Sequence, residues 1–210
     1  MRNNWRQTIA ITTILLFGFA LFYASTDGFH AYTTKSAVQY ELLHSRPHLP
    51  AVTLQDGKGR EFRLDRFAKG KYVLLSFMYT TCKDVCPAIE LNMAKIYRSV
   101  PKHYLGKEIE FLSVSFDPAR DTPSVLAKYG SAFGSDGETW RMARINDAAE
   151  LKRVLDQYGV TVIPDGNGEF THSTSFYLIG KDGRLLQAMN YTKVEETLDA
   201  VMNALRGSGG

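Results

Sequence analysis

Hydrophobic and polar positions divide this chain sharply near its start. Ile9 to Ala24 reads IAITTILLFGFALFYA, about 16 residues without a charge. Arg2 and Arg6 stand before the run, and no acidic residue precedes Asp27. No polar stripe recurs in it at helical spacing, so it lacks the pattern of a buried core helix. Its length falls between a signal-peptide core and the ~20 residues of a full span. No Ala-x-Ala marks a cleavage point; the nearest small pair is Ala24-Ser25. The pattern predicts an uncleaved membrane anchor, with a removed signal as the alternative. Basic residues ahead of an apolar run hold the N-terminus in the cytoplasm and export the chain beyond the run. No Arg- and Ser-rich amphipathic leader precedes the run, so no organelle transit peptide is evident. The expected setting is a bacterial inner membrane, crossed once, with the C-terminal domain in the periplasm. Residues 1–8 are then the cytoplasmic N-terminus, 9–24 the anchor or signal, 25–45 a tether, and 46–206 the folded domain.

Beyond the tether the periodicity changes. Ala51 to Leu54 and Glu61 to Leu64 alternate about an Asp56-Gly57 turn, which predicts a hairpin. Tyr72 to Met78 (YVLLSFM) is nearly continuous and apolar, as in a central strand buried on both faces. Ala88 to Arg98 follows with Ile89, Met93 and Ile96 on one helical face, and Pro87 suits a first turn. Ile109 to Phe116 is the next strand. Thr122-Pro123 opens a helix to about Phe133, Thr122 as cap. Trp140 to Ile145 forms a short strand. Asn146 or Asp147 caps a helix to Tyr158, ended by Gly159. Ser173 to Ile179 and Arg184 to Met189 flank a Lys181-Asp182-Gly183 turn, and Val194 to Leu205 closes the chain as a helix. Strands alternating with helices, then a hairpin and a helix, predict an α/β domain with a mixed sheet. No internal repeat and no second domain is visible.

Composition narrows the function classes. Apart from Arg2 and Arg6 the chain carries 23 basic against 22 acidic residues, with no long Lys/Arg block. Nucleic-acid binding has no footprint here. Only two cysteines occur, Cys82 and Cys86. A disulfide-stapled scaffold needs more, and so does a four-ligand structural zinc site. The pair therefore points to chemistry. It lies in Phe77-Met78-Tyr79-Thr80-Thr81-Cys82-Lys83-Asp84-Val85-Cys86-Pro87, between a strand and a helix start. Unsatisfied N–H groups and the dipole at a helix start favour thiolates there. If the intervening residues make one turn, both sulfurs project to one side, able to close a disulfide or share a metal.

Three segments, in order, resemble the Sco/SenC family of thioredoxin-fold copper proteins. They are Cys82-x-x-x-Cys86-Pro87 with Asp84 between, Asp117-Pro118-Ala119-Arg120-Asp121-Thr122-Pro123, and Thr171-His172-Ser173 followed by Phe176 to Ile179 and Asp182-Gly183. The resemblance covers roughly residues 50 to 205. It implies a thioredoxin-like mixed sheet with flanking helices, and a metal site of Cys82, Cys86 and His172. Two soft thiolates and an imidazole suit copper, as Cu(I) or Cu(II). Lys83 stands where members often have proline, and Thr171 where many have an acidic residue; both adjoin ligands and tune them without removing one.

The other candidates have plainer roles. Pro47 separates His44 from His48, which read as linker. His30 belongs to the tether and His103 to an exposed loop. Met78 and Met93 read as packing. Asp117, Arg120 and Asp121 read as a turn, a helix cap and charge pairing.

The resemblance implies a copper metallochaperone that helps build the copper A centre of cytochrome c oxidase. Its partners would be the copper A-bearing oxidase subunit and a periplasmic thiol reductant or copper donor. The alternative is a thiol–disulfide oxidoreductase that keeps a copper apoprotein's cysteines reduced, with Cys82 and Cys86 as its redox pair. Three intervening residues, and no proline after Pro164, count against a general thioredoxin. The absence of a nearby proline before Cys82 counts against a peroxiredoxin-like peroxidase.

Overall fold

The computed structural model describes residues 2–25, 34–82, 85–164, 170–172 and 175–207, with side chains over 5–24, 40–82, 85–163 and 175–207. Two units divide the chain, Met1–His44 and Ser45–Gly210.

The first unit holds helix α1 (Arg2–Ser25) and most of helix α2 (Thr34–Ser45). Within α1, the 20 residues Trp5–Ala24 are long and apolar enough to cross a membrane. At 1.5 Å per residue they reach about 30 Å, the thickness of a hydrocarbon core. Their large apolar side chains are exposed, from Ile9 through Phe17 to Tyr23. The hydroxyls of Thr12 and Thr13 donate back to the carbonyls of Thr8 and Ile9, each at 2.9 Å. That satisfies both hydroxyls inside the helix, as an apolar surrounding requires. Half of the expected tether is helical as α2; residues 26–33, with His30, lie outside the described residues. α2 stops before Pro47, and Arg46 takes a positive φ of 42°.

The second unit runs β1 (Thr53–Asp56), β2 (Glu61–Arg63), α3 (Leu64–Phe67), β3 (Tyr72–Met78), α4 (Val85–Ser99), β4 (Ile109–Ser115), α5 (Pro123–Phe133), β5 (Trp140–Arg144), α6 (Ala148–Gln157), β6 (Val162–Pro164), β7 (Phe170–His172), β8 (Ser175–Ile179), β9 (Leu185–Asn190) and α7 (Val194–Gly207). The main sheet is ordered β2-β1-β5-β4-β3-β8-β9, and β6 pairs with β7 apart from it. β3, β4 and β5 are parallel; β8 and β9 continue the sheet antiparallel beside β3, and β1 and β2 beside β5. This is the mixed sheet expected from the sequence.

Every residue of β4, and all of β3 after Tyr72, is buried. Successive side chains of a strand point to opposite faces. Ser76 meets Glu90 of α4, while Phe77 meets Tyr158 just after α6 at 6.0 Å between ring centroids. The α4 helix and the end of α6 therefore cover opposite faces, which explains why these strands are apolar without alternation. Each wholly buried Leu or Phe adds about 1.5–3 kcal/mol to folding.

The Asp-Gly hairpin is present as β1 and β2, and Asp147 caps α6 by accepting from the Glu150 N–H at 2.8 Å. Thr122 stands at the start of α5, but its hydroxyl caps no backbone N–H; it lies 3.1 Å from the Ser124 hydroxyl. α4 begins three residues earlier than Ala88, which puts Cys86 inside its first turn. The short elements α3, β6 and β7 were not expected from the periodicity.

Candidate metal centre

The site lies where β3 gives way to α4. The strand must stop at Met78, because the next residues turn toward the loop between β4 and α5. Phe116 N–H donates to the Met78 carbonyl at 3.0 Å, and the rings of Tyr79 and Phe116 pack at 5.1 Å. One turn further, Asp121 holds Thr80. Its wholly buried carboxylate accepts from the Thr80 N–H at 3.1 Å, from the Thr80 hydroxyl, and from the Ser115 hydroxyl at 2.5 Å. Ser115 also accepts from the Asp117 N–H at 3.0 Å. Asp117 pairs with Arg120. Charge pairing and a turn were expected for this segment. The grip of Asp121 on the cysteine loop was not, and it replaces the helix-cap reading.

Thr81 and Cys82 follow directly from that anchored backbone. Cys82 is half-buried, whereas Cys86 is fully buried. The two are thiols, with no disulfide between them. The Cys86 N–H donates to the Cys82 sulfur at 3.2 Å. This N–H is among the orphan donors of a helix start, so its dipole and that of α4 favour an anionic sulfur at Cys82. Burial pushes the Cys86 thiol in the other direction, far above the ordinary thiol range. Lys83 and Asp84 lie outside the described residues.

The structure thus brings Cys82 and Cys86 together across one turn. The His172 backbone ends β7, opposite Val162 of β6, in a short ladder rather than the expected loop. Its ring, and Ser173 after it, lie outside the described residues. Among the described residues no group of three His, Cys, Asp or Glu side chains gathers as a metal cage.

The remaining sequence candidates fall where their plainer roles put them. Met78 and Met93 are wholly buried core. His44 sits within α2, its Nδ1 3.0 Å from the Tyr40 carbonyl. His48 bridges Arg184 through its backbone, and its carbonyl accepts from the Gln157 amide at 2.5 Å. His103 packs against Tyr104 at 4.1 Å between ring centroids.

A family model described as SCO1/SenC matches residues 40–206. The SCO1 protein homolog of Bacillus subtilis (strain 168) is 26% identical over 147 residues, covering 69% of this chain and 74% of that protein. A SCO1/SenC family lipoprotein from Bacillus anthracis str. Ames superposes with a TM-score of 0.69 at 26% identity, over 76% of this chain and 96% of that one. The copper-bound structure of ScoI from Bradyrhizobium japonicum matches with a TM-score of 0.58 at 27% identity, over 75% of this chain and 99% of that one. The mixed sheet with flanking helices is their thioredoxin-like architecture. The chain belongs to the SCO1/SenC family.

Proposed function

We propose that this chain is a membrane-anchored copper metallochaperone. Its domain takes one copper ion through Cys82, Cys86 and His172 and delivers it to the copper A-bearing subunit of cytochrome c oxidase. The observation that carries this reading is the thiol pair at the start of α4, with the Cys86 N–H on the Cys82 sulfur. Two soft sulfurs one turn apart, one stabilised as an anion by a backbone donor, fit Cu(I) better than a hard cation. His172 would complete a low-coordinate set from the β7 end. The copper-bound Bradyrhizobium relative supports the choice of metal. Copper is cargo here, so the site must release it as well as hold it.

Arg2 and Arg6 ahead of the apolar helix set the orientation of the reading. Residues 1–8 stay in the cytoplasm, 9–24 anchor, 25–45 connect, and 46–206 work in the periplasm. The recipient's soluble domain would meet the cysteines there. A near-neutral body disfavours strong electrostatic capture, so docking is brief and governed by shape.

The unlike burial of the two sulfurs favours a second reading, reduction of a partner disulfide. Cys82, the more exposed, would attack one partner sulfur and form a mixed disulfide. The Cys86 thiolate would then displace that sulfur. The partner leaves with two thiols, having gained two electrons and two protons, and the chain keeps a Cys82–Cys86 disulfide. The test is copper content of the reduced full chain beside Cys82→Ser. One copper per wild-type chain, and loss in the variant, supports delivery. No copper with retained disulfide-reducing activity supports reduction.

A further inference from the structure

Tyr129 of α5 carries a phenol whose oxygen is wholly buried and makes no hydrogen bond among the described residues. Such groups are rare, because a buried hydroxyl left unpaired costs folding free energy. Tyr129 follows the buried Leu126 by three positions, on the stripe of α5 that faces inward. Asp121 ties the chain just before α5 to the cysteine loop through Thr80, and α5 packs against α4. The hydroxyl therefore lies on the buried side of the site, and the ionisable groups around it are Glu90, Cys86, Cys82 and Asp121. Two other buried oxygens lack a partner, Glu110 Oε2 and the Tyr158 hydroxyl, and neither has a cysteine around it.

The four groups around Tyr129 differ in what they still need. Both Glu90 oxygens are served, Oε1 by the Ser76 hydroxyl at 3.2 Å and Oε2 by the Ser113 hydroxyl at 2.8 Å. The two serines lie 3.1 Å apart, which closes a small polar ring. Asp121 accepts from Thr80 and Ser115. The Cys82 sulfur accepts from the Cys86 N–H. Cys86 is the fourth, wholly buried in the first turn of α4, with the Tyr79 N–H on its sulfur. As a thiol it asks little of its surroundings, since sulfur is a weak donor and a weak acceptor. As a thiolate it asks much, because a charge taken out of water is costly unless hydrogen bonds replace its hydration.

We propose that Tyr129 is a positioning residue for Cys86, a donor idle at rest that turns to the Cys86 sulfur when that sulfur carries charge. This rests on the reading of Cys86 as a working thiolate, either a copper ligand or the thiol that resolves a mixed disulfide. The carboxylates nearby are already served and leave the hydroxyl unbonded. The cysteines are the neighbours whose charge changes in function. A tyrosine keeps its proton up to about pH 10, so the donor is available throughout the working range. An unmade bond is destabilising in the resting fold, so stability and function pull opposite ways on this one oxygen.

The test is Tyr129→Phe in the reduced full chain in detergent, with a symmetrical aromatic disulfide as the probe and no metal. Cys82 attacks one probe sulfur, releases one coloured aryl thiolate and leaves a mixed disulfide. Cys86 then attacks the Cys82 sulfur, releases the second aryl thiolate and closes the Cys82–Cys86 bond. Two electrons pass from the cysteines to the probe. The first release should keep its wild-type rate, and the second should slow by about 3-fold or more. In urea the reduced variant should show an unfolding constant at or below that of wild type, lower by up to roughly 5-fold as the unpaired hydroxyl is removed. An unchanged second release, equal slowing of both releases, or a variant that is less stable or fails to fold overturns the inference. Competition with a Cu(I) chelator separates it from the copper reading. Copper bound roughly 10-fold more weakly by the variant is expected, and equal affinity overturns the inference. No copper on either protein overturns the delivery reading instead, and the two release rates still decide the role of Tyr129.

Discussion

Asp121→Ala should loosen the cysteine loop and cost much of the domain's stability. The carboxylate gathers three donors from two segments: the Thr80 N–H, the Thr80 hydroxyl and the Ser115 hydroxyl. Hydrogen bonds to a charged group contribute about 1.5–3 kcal/mol each, and a buried donor left unmade costs about 1–3 kcal/mol. The three share one acceptor and do not add. Removing a buried charge also recovers part of its desolvation. The net loss is then about 3–4 kcal/mol. With a urea slope near 2 kcal/mol/M the midpoint falls by about 1.5–2 M. Thr80→Ala removes one hydroxyl and should cost only about 1 kcal/mol. Because Thr80 and Asp121 touch, the double variant should fall short of the sum by at least ~1 kcal/mol. Alkylation of Cys82 should quicken in Asp121→Ala, since its loop has lost its anchor. An unfolding free energy within ~0.5 kcal/mol of wild type, or strict additivity with Thr80→Ala, would refute the clamp.

Other expectations are as specific. In Gly57→Ala the new Cβ would sit 2.9 Å from the Ala127 nitrogen and 3.0 Å from its Cα. That is backbone of α5, so the overpacking should cost about 1–3 kcal/mol by thermal or urea unfolding, and an unchanged midpoint would contradict the close approach. Oxidising Cys82 and Cys86 to a disulfide should block copper loading, and a thiol reductant should restore it. Equal uptake by both forms, verified by thiol counting, would sink that linkage. Protease added to sealed spheroplasts should digest the Ser45–Gly210 unit. Full resistance, with digestion after lysis, would place the domain on the wrong side of the membrane.

Much of this fold could be read from the sequence because its central strands are buried on both faces. YVLLSFM and IEFLSVS need no alternation, and both became central strands, β3 and β4. The helix after Cys86 announced itself through Ile89, Met93 and Ile96. The misses have physical causes. β6 and β7 are three residues each, too short for any period, so His172 looked like a loop residue. α2 has no apolar stripe, and TKSAVQYELLHS carries no period to read. Asp121 sits before Thr122-Pro123, where local chemistry reads as a helix cap. Its true partner is Thr80, 41 positions away, and no local pattern reports that pairing. Glu90 did leave a trace. It lies one turn beyond Cys86, on the buried stripe of α4, and each of the two central strands carries a serine amid apolar neighbours at Ser76 and Ser113. A lone acid on an inner face with hydroxyls opposite is the signature of a buried polar ring.

The most direct test of the copper assignment is metal stoichiometry of the reduced full chain, set beside Cys82→Ser, Cys86→Ser and His172→Ala. Each serine variant deletes one of the two soft thiolates that favour Cu(I), so it should give up its copper to a competing chelator more readily. Wild type should retain one copper per chain, both serine variants should lose most of it, and His172→Ala should retain copper with weakened affinity. Undiminished copper in both serine variants would contradict the account.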